Sequence, residues 1–153
     1  FIGDVDEIMF GDVLPALAEI RTPSFDLNFS GINMFRARRR RQTLWVGIES
    51  NDALLHLQAK IESALVGLGL DPESRKFKPH VTLAHLRQSP IELMQNFIRQ
   101  HSMFRAGPVT IDRFQLYSSH RSDDQQIYRI EEEFPLGDGA NLNWASAAGT
   151  GVP

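Results

Sequence analysis

Between residues 25 and 31 apolar and polar positions alternate. Phe25, Leu27, Phe29 and Gly31 are separated by Asp26, Asn28 and Ser30, the period of a strand with one buried face. Residues 43–48, TLWVGI, predict a second strand, and a basic connection joins the two. From Asn51 the period lengthens. Leu54, Leu57, Ile61, Leu65 and Leu68 recur at helical spacing, with Asn51 or Asp52 as the cap and Gly67 and Gly69 marking the end. A third strand follows around residues 80–86. Ile91, Met94, Phe97, Ile98 and His101 predict another helix, opened by Ser89 with Pro90 at the first helical position. Gly107 and Pro108 break that helix. Two more strands are expected at residues 109–117 and 126–136, joined by a polar turn at 118–124. At the other end, Asp4 is a candidate cap with Glu7 three residues on, leading into a stripe of Val13, Leu14, Leu17 and Ile20. Gly11 and Pro15 weaken that helix and predict a kink, or a start near Asp12.

The order is thus helix, strand, strand, helix, strand, helix, strand, strand. Strands paired as hairpins and mixed with helices favour an α+β fold with antiparallel sheets; a doubly wound parallel sheet needs a more regular alternation. Residues 1–136 are expected to form one domain. The tail at 137–153 is small, polar and unpatterned, and is expected to be disordered or loosely packed. No apolar run approaches 18 residues, so no membrane partner is expected. The chain has no cysteine, which excludes disulfides and thiolate metal sites and fits a reducing, cytoplasmic setting. A net charge of -3 means that any anion must be held by a local patch.

Candidate chemistry centres on KFKPHVTLAHL, residues 76–86. In an extended strand His80 and Thr82 share one face, while Val81 and Leu83 take the other and are expected to meet core helices. A histidine can move a proton near neutral pH, and a neighbouring hydroxyl can bond a phosphate oxygen. The pair suits phosphoester chemistry, although a strand histidine is more often a packing or surface residue. His85 and His120 have no spacing with His80 that demands a metal, and His56 and His101 read as ordinary helix residues. Five arginines stand within residues 36–41. Arg38 and Arg40 at their centre could track an RNA backbone, or the run could be a solvated hairpin tip. Phe35 beside them could stack a base, or plug the hairpin into the core. Trp45 reads as core.

The wider string Phe77-Lys78-Pro79-His80-Val81-Thr82-Leu83-Ala84 resembles the second histidine motif of the 2H phosphoesterases, above all the RNA 2′,3′-cyclic phosphodiesterases, once called 2′-5′ RNA ligases. Residues 1–5, FIGDV, resemble what directly follows that family's first histidine motif. Residues 35–47 resemble its basic hairpin and next strand, and Leu116-Tyr117-Ser118-Ser119 with residues 128–136 its closing strands. The resemblance implies two pseudo-symmetric lobes of antiparallel sheet with helices packed outside and a cleft between them, each lobe giving one His-x-Thr. It implies hydrolysis of 2′,3′-cyclic phosphate ends of RNA or nucleotides to 2′-phosphates, with reversible 2′-5′ ligation as a companion reaction. No cofactor and no metal are implied, and a monomer is expected. His80 would be the general base, a partner histidine the general acid, and Thr82 a phosphate ligand. Two departures stand out. These 153 residues hold a single His-x-Thr, and Phe1 falls where the family has residues just past the other, so sequence is expected to be missing upstream. His85 stands where the family often has arginine. Arg87 is a candidate phosphate contact, but strict alternation turns it away from His80 unless the strand bulges first. The alternatives are a non-catalytic RNA- or nucleotide-binding domain and a partner-binding domain in which His80 is incidental.

Overall fold

The alternation that starts at Phe25 runs on to become the longest of the described strands. The computed structural model describes residues 2–36, 41–87, 89–122 and 125–137, and for Arg36, Arg41, Arg87, Arg121, Ser122 and Gln125 the backbone alone. Along these residues the order is α1 (Glu7–Ala18), β1 (Phe25–Arg36), β2 (Arg41–Ile48), α2 (Asp52–Gly67), β3 (His80–Arg87), α3 (Ile91–Gln100), β4 (Arg105–Ile111), β5 (Arg113–Ser122) and β6 (Gln125–Pro135). A four-stranded sheet has the order β3-β2-β1-β4, and a two-stranded sheet pairs β5 with β6. All pairings are antiparallel. The expected α+β class therefore holds, with two sheets of unequal size.

The main core lies on the two-stranded side. Val13 and Leu17 of α1, Leu57 of α2, Ile20, Phe134 and Leu136 are buried together. Phe114 and Phe134 stack across the β5–β6 pair with centroids 4.8 Å apart. A lone hairpin is marginal in water, so this anchoring to α1 and α2 is what keeps the small sheet in place. In the larger sheet Ile32, Leu44 and Val46 are buried. Cross-strand pairing sets Ile32 opposite Val46 and Met34 opposite Leu44, which puts all four on one face.

Several local expectations are corrected. The cap of α1 is Asp6, not Asp4, and its side chain accepts a hydrogen bond from the Met9 N–H. The helix continues through Gly11 and Pro15 without restarting near Asp12. Pro15 forgoes the bond to the Gly11 carbonyl, but burial of Val13 and Leu17 on either side holds the helix across it. Ser89 does not cap α3. Pro90 takes the cap position with φ −57° and ψ 128°, an extended conformation outside the helix, and makes no side-chain cap bond. His101 likewise falls just past the end of α3. Gly107 and Pro108 lie inside β4, an edge strand, where a residue without an N–H is tolerated.

The strand expected at 109–117 is two strands. β4 ends at Ile111 and pairs with β1, while β5 begins at Arg113 and pairs with β6. The main-chain carbonyl of Asp112, between them, accepts a hydrogen bond from the Leu136 N–H at 2.7 Å, which continues the β5–β6 pairing to the point where the chain leaves β4. The polar turn is also shorter than expected, because strand pairing extends to Ser122 and resumes at Gln125. Arg38, Arg40 and the tail from 138 lie outside the described residues.

Candidate active site

β3 is an edge strand, hydrogen-bonded on one side to β2. This explains a further correction: Val81 and Leu83 do not face core helices but are 44% and 50% exposed. The burial that alternation promised is supplied one strand further in, by Leu44 and Val46.

The register between β2 and β3 is not uniform. Gly47 faces His80, Val46 faces Val81 and Trp45 faces Thr82, but the next partner of β3 is Ala84, opposite Leu44. Leu83 is therefore an extra residue, a bulge. Past it the side-chain parity flips. His85 pairs with Thr43 and Arg87 with Arg41, so both positions join the row of His80 and Thr82 instead of opposing it. The bulge raised as a condition for Arg87 is present. Gly47 contributes in another way: a Cβ there would sit 2.7 Å from the Ser30 carbonyl oxygen, so only glycine lets β1 and β2 close at this point, directly across from His80.

The His80 imidazole is exposed and lines a cavity of about 930 Å³ that runs from Phe35 past Pro79 to Leu54, Ile61 and Leu65 of α2. It is neither walled in by apolar side chains nor set on a convex surface. Its Nδ1 lies 2.7 Å from the carbonyl oxygen of Lys78. A carbonyl can only accept, so Nδ1 carries the proton and donates it, and in the neutral ring Nε2 keeps the lone pair. Two aromatic rings fix the plane of the imidazole. Phe35 meets it edge-on with centroids 5.0 Å apart, and Trp45 does so at 5.7 Å. Phe35 and Trp45 stack on each other at 4.8 Å, and Trp45 is buried. The Lys78 ammonium rests against the same pair, 4.6 Å from the Trp45 ring and 5.3 Å from Phe35.

Thr82 is exposed beside His80, and its hydroxyl has no hydrogen-bond partner among the described residues. His85 Nδ1 lies 3.2 Å from Thr43 Oγ1. Phe35 is half-buried in its stack, with part of its ring facing the cavity. Thr43 and Lys78 were not singled out from the sequence. Lys78 was legible there, because it shares the period-two parity of His80 and Thr82; Thr43 was not, because its contact depends on the bulge.

The segment that leads into β3 is held by a local ion pair. Arg75 Nη2 lies 3.1 Å from Glu73 Oε2. The side-chain hydrogen bond from Arg75, helped by its backbone N–H, holds the Glu73 carboxyl down at about 2. A depressed carboxylate contributes above its ordinary value and loses that contribution as pH falls toward 2. Both groups are solvent-exposed, so the pair shapes the turn more than it stabilises the fold. Among the described residues no group of three or more His, Asp or Glu is placed to hold a metal ion, and no helix is long and apolar enough to cross a membrane.

Comparison with known proteins agrees with this fold. The chain is 27% identical over 141 residues to the RNA 2′,3′-cyclic phosphodiesterase of Aquifex aeolicus, covering 90% of this chain and 75% of the relative. It is 29% identical over 132 residues to the protein of that name from Thermotoga maritima, covering 85% and 69%. Among solved structures, E. coli LigT complexed with 3′-AMP superposes with a TM-score of 0.66 at 22% identity over 89% of this chain and 73% of that one. A family model described as the 2′-5′ RNA ligase superfamily matches residues 3–123, which include the whole of α2, the His80 strand and the two-stranded sheet up to its turn. The chain belongs to the 2′-5′ RNA ligase superfamily.

Proposed function

We propose that the protein opens 2′,3′-cyclic phosphate ends of RNA or nucleotides to 2′-phosphates, with His80 as general base and Thr82 as phosphate ligand. The observation that carries this reading is the tautomer lock on His80. With Nδ1 bound to the Lys78 carbonyl, Nε2 is the ring atom left to act, and it lies on an exposed imidazole at the mouth of a cavity. In the reaction Nε2 takes a proton from water, the water oxygen bonds to phosphorus, and the bond from phosphorus to the 3′ oxygen breaks. The leaving oxygen must gain a proton on the opposite side. By family resemblance a second histidine serves there. Attack by a ribose 5′ hydroxyl in place of water, with the same bond from phosphorus to the 3′ oxygen breaking and the 3′ oxygen taking up the proton, gives a 2′-5′ linkage, the companion ligation.

The rest of the row supports the same substrate. His85 and Thr43 form a hydrogen-bonded pair further along the strand, and the bulge brings Arg87 into register with them. We assign this stretch to the phosphate and ribose of the bound end. Arg38 and Arg40, in the β1–β2 connection, would extend the cationic surface toward an RNA chain. Phe35 serves chiefly to hold the imidazole, since its ring already stacks on Trp45, and its open part would meet the nucleoside. The names of the Aquifex and Thermotoga relatives point to the same RNA end. The partner is thus RNA or a nucleotide, and the protein is proposed to act as a cytoplasmic monomer.

The test is product identity. Uridine 2′,3′-cyclic phosphate incubated with the protein should give uridine 2′-phosphate, resolved from the 3′ isomer by chromatography or ³¹P resonance. Binding without turnover would favour a non-catalytic RNA-binding domain instead. A further outcome concerns His85. A guanidinium is always charged and presents a bidentate fork that an imidazole lacks. The change His85→Arg is therefore expected to lower KM for the cyclic phosphate by about 3- to 10-fold, the worth of one charge-assisted hydrogen bond. Steady-state kinetics at constant salt check this, and an unchanged KM would remove His85 from the binding surface.

A further inference from the structure

Lys78 precedes His80 by two residues, with Pro79 between them. A residue before proline is held extended, so the side chains of 78, 80 and 82 fall on one side of the chain. The contacts agree: the Lys78 ammonium lies 4.6 Å from the Trp45 ring and 5.3 Å from Phe35, the two rings that His80 also meets. The residue therefore touches the site twice. Its carbonyl fixes the imidazole, and its ammonium is parked on the aromatic pair beside that imidazole, at the wall of the cavity. No carboxylate pairs with it among the described residues. An ammonium that rests on ring faces keeps N–H groups available to an incoming anion.

We propose that Lys78 binds one non-bridging oxygen of the phosphodiester and stabilises the negative charge that builds there as water adds to phosphorus. This rests on the phosphodiesterase reading above. The physical logic is that of a preorganised donor at a developing oxyanion, where the cation is fixed before reaction. The aromatic pair supplies the fixing: it limits where a long, flexible side chain can go. Lys78, His80 and Thr82 then form a row of ammonium, imidazole and hydroxyl, which divide charge stabilisation, proton transfer and orientation between them.

The test uses Lys78→Met, which keeps the backbone carbonyl and the apolar stem but removes the cation, and Lys78→Arg, which restores it. Uridine 2′,3′-cyclic phosphate and the two diastereomers of its phosphorothioate are the substrates. Lys78→Met should lower kcat/KM on the all-oxygen substrate about 10²-fold. Lys78→Arg should recover most of the rate lost in Lys78→Met, because a guanidinium also rests on ring faces and donates charge-assisted hydrogen bonds to an anion. The parent should discriminate between the two phosphorothioates, since only one places sulfur against the ammonium, and Lys78→Met should narrow that discrimination. A rate loss with the discrimination intact would overturn the proposal by showing a merely structural role. Parental rates in Lys78→Met, with His80→Ala inactive, would overturn it while leaving the phosphodiesterase reading standing. A parent that neither turns over the cyclic phosphate nor binds uridine 2′-phosphate would overturn both.

Discussion

Replacing His80 with alanine is expected to lower the rate of cyclic phosphate opening by about 10²–10⁴-fold, the usual worth of a positioned general base. KM should change far less, because the proposed phosphate contacts lie on neighbouring groups and not on the imidazole itself. The Asn variant sharpens the expectation. An amide N–H at residue 80 can still donate to the Lys78 carbonyl that Nδ1 now serves, but it offers no basic lone pair where Nε2 stood. His80→Asn should therefore be as slow as His80→Ala. Single-turnover rates on a 2′,3′-cyclic nucleotide at saturating enzyme make the measurement. If His80→Asn kept parental activity, the imidazole would be a packing group and the proposed chemistry would fail. The fold should survive both changes, since the ring is exposed and surface substitutions usually move stability by no more than about 0.5 kcal/mol.

Leu17→Ala should behave in the opposite way. Leu17 is 3% exposed and sits among Val13, Leu57, Phe134 and Leu136, where α1, α2 and the small sheet meet. Truncating a buried leucine costs about 2–5 kcal/mol, part from lost transfer energy and part from the cavity left behind. Against a total of about 5–15 kcal/mol for a domain, that is a large fraction. The two-stranded sheet depends on this junction more than the four-stranded sheet does, because Phe134 and Leu136 reach the core only there. Urea unfolding should show a lower midpoint, with little change in kcat for the molecules that remain folded, because Leu17 does not line the cavity. A loss below about 1 kcal/mol would mean that the neighbours close around the gap.

These two residues also show how far the sequence could be read. Leu17 was legible as core because its helical stripe is strong and burial dominates the energetics. His80 and Thr82 were legible as a pair because parity holds over two residues whatever the strand does later. Wherever a single residue changed the phase or the partner, the reading failed. Asp112 diverts the chain from one sheet to another, and the local sign of it is only a change of phase, from Val109 and Ile111 to Phe114 and Leu116, that a strand with an irregularity would show equally. Asp4 and Asp6 are equally good caps by composition, and only the backbone at Asp6 selects between them. Pro15 looked like a helix breaker because propensity was weighed without the burial that overrides it. Val81 and Leu83 looked like core because alternation says which side a residue faces, not whether anything covers that side.

The extra residue in β3 has one more consequence. With Leu83 out of step, the row of positions that begins at His80 reads 80, 82, 85, 87. The spacing along it is thus two, three, two. A strict every-other-residue template laid along this edge would select 84 and 86, an alanine and a leucine, and conclude that the strand carries chemistry only at its start. The bulge, and not the residue count, carries this arrangement. Flattening it with Leu83 retained would leave the imidazole and its hydroxyl neighbour in place and turn positions 85 and 87 to the far side, whereas deleting Leu83 would give a regular strand that keeps them on the near one.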